Sequence, residues 1–459
     1  MEGSARVDHG GFDTLRSDVP GIAWPPLSEG PGALLQSYVA RLGQSEWLPA
    51  AEIARHQRGQ LALLAQHCVA HSPHFAARMR QAGLAPGDLA QPGGLQRLPP
   101  LSRRELQSAP DVFCQQIPDR HQPSGLSQTS GSTGEPVTVR RTALNRLGWM
   151  AMTVRDHQWQ NRDAGLRLAA MSAHNHAVRA LPDWGSPLAL LYRTGPALSL
   201  PAAIDVAELH ARLIDFSPQL LVIYPTMLAA LIDEVERTGL RLDDLRHIRC
   251  MSEMVRPELR RRCEEMFGLR LEDAYTSQEC GFIALQCPTG AGYHVLAETH
   301  LVEIVDAAGL ACAPGETGRV LVTDLHNFAT PLIRYDIGDY AVAGALCPCG
   351  RGLPTIERIA GRERNLLRLP DGTRYWPLTG YGLFREIAPV IQYQLIQHDL
   401  ERVEVRLAVE RGLSDAEEAA LAAQIAKALG HPFGIEFTYY RNKLPQAPSG
   451  KSEEFVCLM

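Results

Sequence analysis

Between residues 219 and 275 short apolar runs alternate with amphipathic ones, and that alternation leaves few architectures open to the chain. QLLVIYP reads as a strand buried on both faces. TMLAALIDEVERTG then sets Met227, Leu228, Leu231, Ile232 and Val235 on one side of a helix, with Thr226 as its cap and Gly239 as its stop. RHIRCMSE reads as a second strand, PELRRRCEEMFG as a second helix opened by a proline, and LRLEDAY as a third strand. Strand, helix, strand, helix, strand within about 60 residues predicts a parallel α/β sheet. Ligands of such sheets bind beyond the carboxyl ends of the strands. YTSQECG, residues 275–281, falls at one of those ends.

The rest of the chain, 459 residues in all, extends this into an α/β protein of more than one domain. Residues 30–120 read as helices punctuated by LAPGDLAQPGG and LPPLSRREL, where Ser102 caps a helix carrying Glu105. A strand at VTVRR and a helix near 143–160 follow. Residues 295–345 read as β-hairpins, with turn signals at DAAG and APGETG. After IAGRERN the character changes to a small α+β unit, with a strand at VEVRLAVE, a helix from about Ser414 to Leu429 stopped by Gly430, and a strand at IEFTYY. The expected organisation is a large N-terminal domain, 1–360, opened by a helical layer over 1–120 and built on mixed and parallel sheets with a β-hairpin subdomain. A small α+β C-terminal domain, 361–459, completes it.

Charge and leader signals exclude several partner classes. The formal charge of −6 is small and its signs are interspersed, so no nucleic-acid partner is expected. MEGSARVDHGGFD has no basic region followed by an apolar one, so it is not a secretory signal. The longest apolar run, LLVIYPTMLAALI, is too short to span a bilayer and contains Pro225. A cytoplasmic, membrane-free protein is expected. Its ten cysteines are then metal ligands or buried thiols rather than disulfides. Lys427, Lys443 and Lys451 are the only lysines, which makes a lysine inside a motif informative.

SQTSGSTGEP, residues 127–136, carries five hydroxyl side chains and two glycines. Such a stretch is either a linker or a cradle whose backbone N–H groups and short hydroxyls hold phosphate. It is not the NTPase P-loop, since Glu135 rather than lysine follows Gly134. Four further segments follow it: YTSQE (275–279), PLIRYDIGD (331–339), AGRERN (360–365) and PSGK (448–451). In this order, together with LPPLSRREL, the set resembles the adenylate-forming superfamily, and within it the phenylacetate-CoA ligase-like and capsular-biosynthesis branch.

The resemblance implies roles for particular residues. Thr129, Ser130, Gly131, Ser132, Thr133 and Gly134 match the loop that grips the β- and γ-phosphates of ATP. Tyr275 matches the aromatic that stacks on adenine, and Ser252 and Glu253 match the segment lining it. Glu279 matches the carboxylate that binds magnesium, as a hard cation requires an oxygen ligand. Asp339 matches the aspartate that accepts both ribose hydroxyls, and Arg362 the arginine at the start of the interdomain hinge. Lys451 matches the mobile lysine that follows negative charge during adenylation. The chain departs from the family at Glu135, where lysine is frequent, and at Gln278, where serine or threonine is usual.

Cys287, His294, Cys347 and Cys349 form a separate set, in CPTGAGYH and CPCG. Three thiolates and one imidazole complete a tetrahedral structural zinc site, with Cys280 as a competing ligand and the alternative being reduced buried cysteines. Some members of the same branch hold structural zinc at similar positions.

The function that follows is ATP-dependent activation of a carboxylic acid, aromatic by analogy with the branch, to an acyl adenylate with release of pyrophosphate. Acyl transfer to coenzyme A, a carrier-protein thiol or an amine comes next. Mg2+ and structural Zn2+ are the expected metals, a homodimer is expected by analogy, and the small C-terminal domain is expected to move about the hinge. RLPDGTRYWP replaces the glycine-rich strand that admits the pantetheine arm in phenylacetate-CoA ligases, which leaves the acceptor open. The acid is expected to meet MSAHNHAVR, with His174, Asn175 and His176, and Tyr224-Pro225-Thr226. The competing readings are a nucleotide-binding homologue without turnover and a phosphoryl transferase.

Overall fold

The computed structural model describes residues 18, 28–109, 111–128, 136–173, 175–290, 292–377, 384, 386–441, 443–445 and 454–459. Two compact units emerge, one of the described residues up to 128, 136–337 and 342–358, the other of the described residues among 338–341 and 359–459. No helix among the described residues is long and apolar enough to cross a membrane.

The first unit begins with the helices Gly30–Ser45, Ala50–His71 and Pro73–Gln81. Ser72 separates the last two, and its hydroxyl accepts the Phe75 N–H at 3.2 Å to cap the third helix. Leu61, Leu64, Phe75 and Leu98 from this layer pack with Leu325 and Ile333. Ser102 and Glu105 form the expected reciprocal cap on the short helix Arg103–Ser108. The strands Ser124–Gln128 and Thr138–Thr142 then pair antiparallel, with Gln128 opposite Thr138. Gln128 and Thr138, on either side of the central part of the hydroxyl-rich decapeptide, therefore lie next to each other.

A six-stranded sheet carries the predicted α/β alternation. Its order is Arg179–Leu181, Ala197–Pro201, Leu168–Ser172, Leu220–Ile223, His247–Cys250, Leu271–Glu272, parallel throughout except at the first strand. Leu220, Leu221 and Ile223 are wholly buried, as a strand covered on both faces requires. The helix Pro225–Thr238 turns Leu228, Leu231, Ile232 and Val235 into this core, while Met227 is half-buried at its margin. Gly239 and Gly268, at φ +71° and +68°, end the two crossover helices in the left-handed conformation. The Thr226 cap expected from sequence is not there. Tyr224 is the residue before the helix, Pro225 opens it, and Thr226 is already inside. The other sheet has seven strands in the order His300–Val305, Thr317–Asp324, Tyr335–Ala343, Thr355–Arg362, Tyr293–Val295, Gly281–Gln286, Ala274–Ser277.

In the second unit, four strands lie in the order Gly434–Arg441, Arg402–Val409, Val390–Gln397, Phe455–Cys457. Leu421 and Ile425 of the helix Asp415–Ala428 pack with Val403, Val405 and Leu407, and Ser414 with Glu417 caps that helix. A two-residue ladder, Leu367–Arg368 with Arg374–Tyr375, precedes this core.

Candidate active site

Glu279 sits in the turn joining the strands Ala274–Ser277 and Gly281–Gln286. The Cys280 N–H donates to Ser277 Oγ at 2.9 Å and tightens that turn. Gly281 completes it at φ +79°, a conformation that favours glycine, and a Cβ there would stand 2.7 Å from Nη2 of Arg141 and have to displace that guanidinium. Glu279 is 5% exposed. Its Oε1 accepts from Arg103 Nη1 at 3.1 Å and from the Tyr335 hydroxyl at 3.4 Å, and no partner stands at Oε2 among the described residues. Burial, helped by the Glu279 charge, pushes the Tyr335 hydroxyl well above the usual phenol range, so it stays a donor. Gln278 Nε2 donates to Ser127 Oγ at 3.2 Å, which ties the residue before Glu279 to the first residue of the decapeptide.

Arg103 and Tyr335 were not singled out by the sequence reading, though each lies in a segment that was. Leu101 runs beside the second: its N–H donates to the Arg334 carbonyl at 2.8 Å, and its own carbonyl accepts the Asp336 N–H at 2.9 Å. That pairing carries LPPLSRREL alongside LIRYD and delivers Arg103 to the carboxylate. One signal was available. Arg103 and Arg104 occupy the first turn of a helix, where the backbone dipole disfavours cations.

The carboxyl ends of the parallel strands bring the expected acid-pocket segments together. The Tyr224 hydroxyl bonds to the Ala173 backbone, and its pKa is raised, chiefly by burial. Asn175 Nδ2 donates to Ser199 Oγ at 2.6 Å, and His176 is exposed. Tyr275 is buried on its strand, paired opposite Ala284. Ser252 adopts φ +67°. The Glu253 carboxylate accepts the Thr226 N–H at 3.0 Å and the Thr226 hydroxyl at 3.2 Å, so it caps the helix Pro225–Thr238 from outside. Thr129 to Gly134, Glu135, His174 and Lys451 lie outside the described residues.

Within the second unit, Asp339 is buried and its Oδ1 meets Arg362 Nε at 3.3 Å. The Arg362 side chain is about half exposed, so solvent weakens the pair. Trp376 Nε1 donates to the Arg362 carbonyl at 3.0 Å, and the Trp376 ring lies where a Cβ on Gly361 would be, 2.5 Å away. Tyr340 packs on the same indole at 5.2 Å between centroids. RLPDGTRYWP, the stretch that departs from the family pattern, thus supplies a tryptophan lying over the Gly361–Arg362 backbone.

Cys287, His294, Cys347 and Cys349 converge in the first unit, with their four donor atoms all within 4.8 Å of one another. Cys287 Sγ is 3.6 Å from Cys347 Sγ, and Cys349 Sγ is 3.2 Å from His294 Nε2. Tetrahedral zinc with Zn–S near ~2.3 Å separates its sulfurs by ~3.8 Å, so the cluster fits that ion. Burial lowers His294 to about 4, which keeps the imidazole neutral. Cys280 is not in the cluster. Arg270 braces the first turn by donating to the carbonyls of Cys287, Pro288 and Gly290 at 2.8 to 2.9 Å. Arg351, two residues after Cys349, lies between the Trp47 and Trp159 rings and pairs with Glu46 at 3.0 Å. Arg351 therefore fastens the segment that carries Cys347 and Cys349 to the residues just after the first helix.

Residues 92–329 match the family model described as AMP-binding enzyme. The chain is 25% identical over 333 residues to the phenylacetate-coenzyme A ligase of Pseudomonas putida, covering 69% of this chain and 72% of that protein. It is 26% identical over 143 residues to protein CapK of Staphylococcus aureus, covering 30% and 31% respectively. A crystal structure of 2-hydroxyisobutyryl-CoA ligase in the postadenylation state, complexed with 2-HIB-AMP, superposes with a TM-score of 0.70 at 18% identity, over 90% of this chain and 91% of that one. With the family model spanning more than half of its length, and covering the decapeptide, the Glu279 turn and the parallel sheet between them, the chain belongs to the AMP-binding enzyme family.

Proposed function

We propose that this enzyme joins a carboxylic acid to ATP and passes the resulting acyl group to coenzyme A. A carboxylate oxygen attacks the α-phosphorus, the bond to the β-phosphate bridge breaks, and pyrophosphate leaves. The coenzyme A sulfur then attacks the acyl carbon and AMP leaves. Chemistry of this kind asks the protein mainly for positioning and charge neutralisation.

The observation that carries the reading is the Glu279 turn: a buried carboxylate with one oxygen held and no partner at the other among the described residues, tied through Gln278 to the start of a hydroxyl-rich loop. Glu279 holds magnesium there, and Thr129 to Gly134 hold the β- and γ-phosphates. Tyr275 stacks on adenine, with Ser252 and Glu253 contributing backbone beside it. Asp339 and Arg362 take the ribose. Lys451 neutralises the charge that builds between carboxylate and α-phosphate, carried on a C-terminal domain that turns about the hinge. The acid lies between residues 172–176 and Tyr224. Its expected class is aromatic, in keeping with the named activity of the relatives. Zinc at Cys287, His294, Cys347 and Cys349 is structural, since four protein ligands leave no open position.

Acid-dependent ATP–pyrophosphate exchange over a panel of carboxylic acids, phenylacetate first, tests this and finds the substrate together. Exchange is expected with a subset of the panel, with AMP as the nucleotide product once coenzyme A is added. In Lys451→Ala the exchange rate should fall by about 10²-fold or more. Binding of ATP without exchange for any acid would favour the homologue that lacks turnover, and ADP as product would favour phosphoryl transfer.

A further inference from the structure

Arg103 pairs with Glu279 at 3.1 Å, at the spot where the proposed function needs a divalent cation. The two side chains differ in setting. That of Glu279 is 7% exposed, whereas that of Arg103 is 37% exposed. A guanidinium at the first position of a helix works against the helix dipole, so helix stability does not account for it. Such a local conflict is explained if the cation serves the site.

We infer that Arg103 is the resting counter-ion of Glu279: it occupies the carboxylate until nucleotide arrives, and then follows the phosphates while magnesium takes its place. The inference rests on the reading of Glu279 as the magnesium carboxylate. Its physical basis is charge. Without nucleotide, Glu279 and Arg103 sum to zero, and a divalent ion approaching Oε2 meets the guanidinium a few ångströms away. Repulsion between charges of +1 and +2 at ~5 Å far exceeds thermal energy even at an effective dielectric near ~40. When the triphosphate arrives, several negative charges enter beside Ser127 and Gln278, and the guanidinium gains a better partner in a bidentate phosphate contact. Magnesium is then captured only as the nucleotide complex. Tyr335 keeps its hold on Oε1 throughout, so the carboxylate stays oriented while its cation changes.

The test uses two ligands that need no knowledge of the acid substrate. Mn2+ alone, followed by its electron paramagnetic resonance signal, reports metal binding without nucleotide. The second is α,β-methylene-ATP, whose α–β bridge cannot be cleaved, titrated at several free Mg2+ concentrations. In Arg103→Gln the affinity for Mn2+ alone should rise by about tenfold or more, since the competing cation is gone. The affinity for the magnesium complex of the analogue should fall by about tenfold, since a phosphate partner is gone. Arg103→Lys should lie between wild type and Arg103→Gln in both. A merely structural role would weaken both ligands together or neither, and either result would overturn the inference. Glu279→Gln separates the two levels of reasoning. If it leaves the Mg2+ dependence of analogue binding as in wild type, the reading of Glu279 itself fails. If it abolishes that dependence while Arg103→Gln shifts neither ligand, only the role of Arg103 fails.

Discussion

Asp156→Asn is a demanding test of how the site is held in place. Asp156 lies on the helix Ala143–Trp159, which follows the strand Thr138–Thr142, and is 2% exposed. Its Oδ2 receives Arg162 Nη1 at 3.0 Å and Arg249 Nε at 2.6 Å. Arg249 belongs to the strand His247–Cys250 that leads into Ser252, and Arg162 also pairs with Glu272, just ahead of the Glu279 turn. The carboxylate thus binds the helix to two strand ends that carry site residues. Removing one member of a buried ion network costs about 3–5 kcal/mol, because the remaining charges lose their compensation. Arg162 keeps Glu272, so the lower end, about 3 kcal/mol, is the expected loss. Equilibrium urea unfolding followed by tryptophan fluorescence at neutral pH should give a lower midpoint at unchanged slope. The pH dependence has a definite sign. Burial opposes ionisation of Asp156, but the two guanidinium groups outweigh it and hold its pKa well below the usual carboxylate range. Its contribution is therefore complete above the unfolded value of ~3.9 and is lost as pH falls from there toward the folded value. The gap between wild type and Asp156→Asn should stay constant from pH 7 to 5 and begin to close only below about pH 4. A loss under about 1 kcal/mol, or a gap that widens on acidification, would refute the assignment of this network.

Two other substitutions probe the metal cluster and the turn. Cys349→Ser should reduce zinc from about one equivalent per chain to a small fraction by elemental analysis and lower the melting temperature, while Cys280→Ser leaves the zinc content unchanged. Gly281→Ala forces a φ of +79° on a residue with a Cβ and makes the Arg141 guanidinium move aside. It should destabilise the protein by roughly 2 kcal/mol or more in the same urea assay, and slow exchange by displacing Glu279.

Much of the parallel sheet was legible because the signals are local. Pro225, Gly239, Pro257 and Gly268 act on their own backbone, and burial at a helical period requires only a core on one side, so strand and helix identities survive without knowledge of neighbours. The clustering of Cys287, His294, Cys347 and Cys349 was legible for a chemical reason: thiols and an imidazole gathered in two short turns have few other uses. Glu253 was read as lining adenine through its backbone; what the sequence did not show is that its side chain caps the helix that Thr226 was expected to cap, a contact across 27 residues of sequence. The strands Val390–Gln397 and Phe455–Cys457 escaped notice, since the parallel pairing that joins them spans about sixty residues and leaves no local pattern.

By itself, then, the sequence determined the class of fold, the order of its motifs and the candidate residues for the chemistry, all of which rest on backbone preferences and side-chain identity. Only the tertiary structure decided which charges meet. Arg103 reaches Glu279 across 176 positions and Arg162 reaches Glu272 across 110. Such pairs depend on strand order and on which segment lies alongside LIRYD, and Coulomb energy varies with distance in space, of which separation along the chain is no measure.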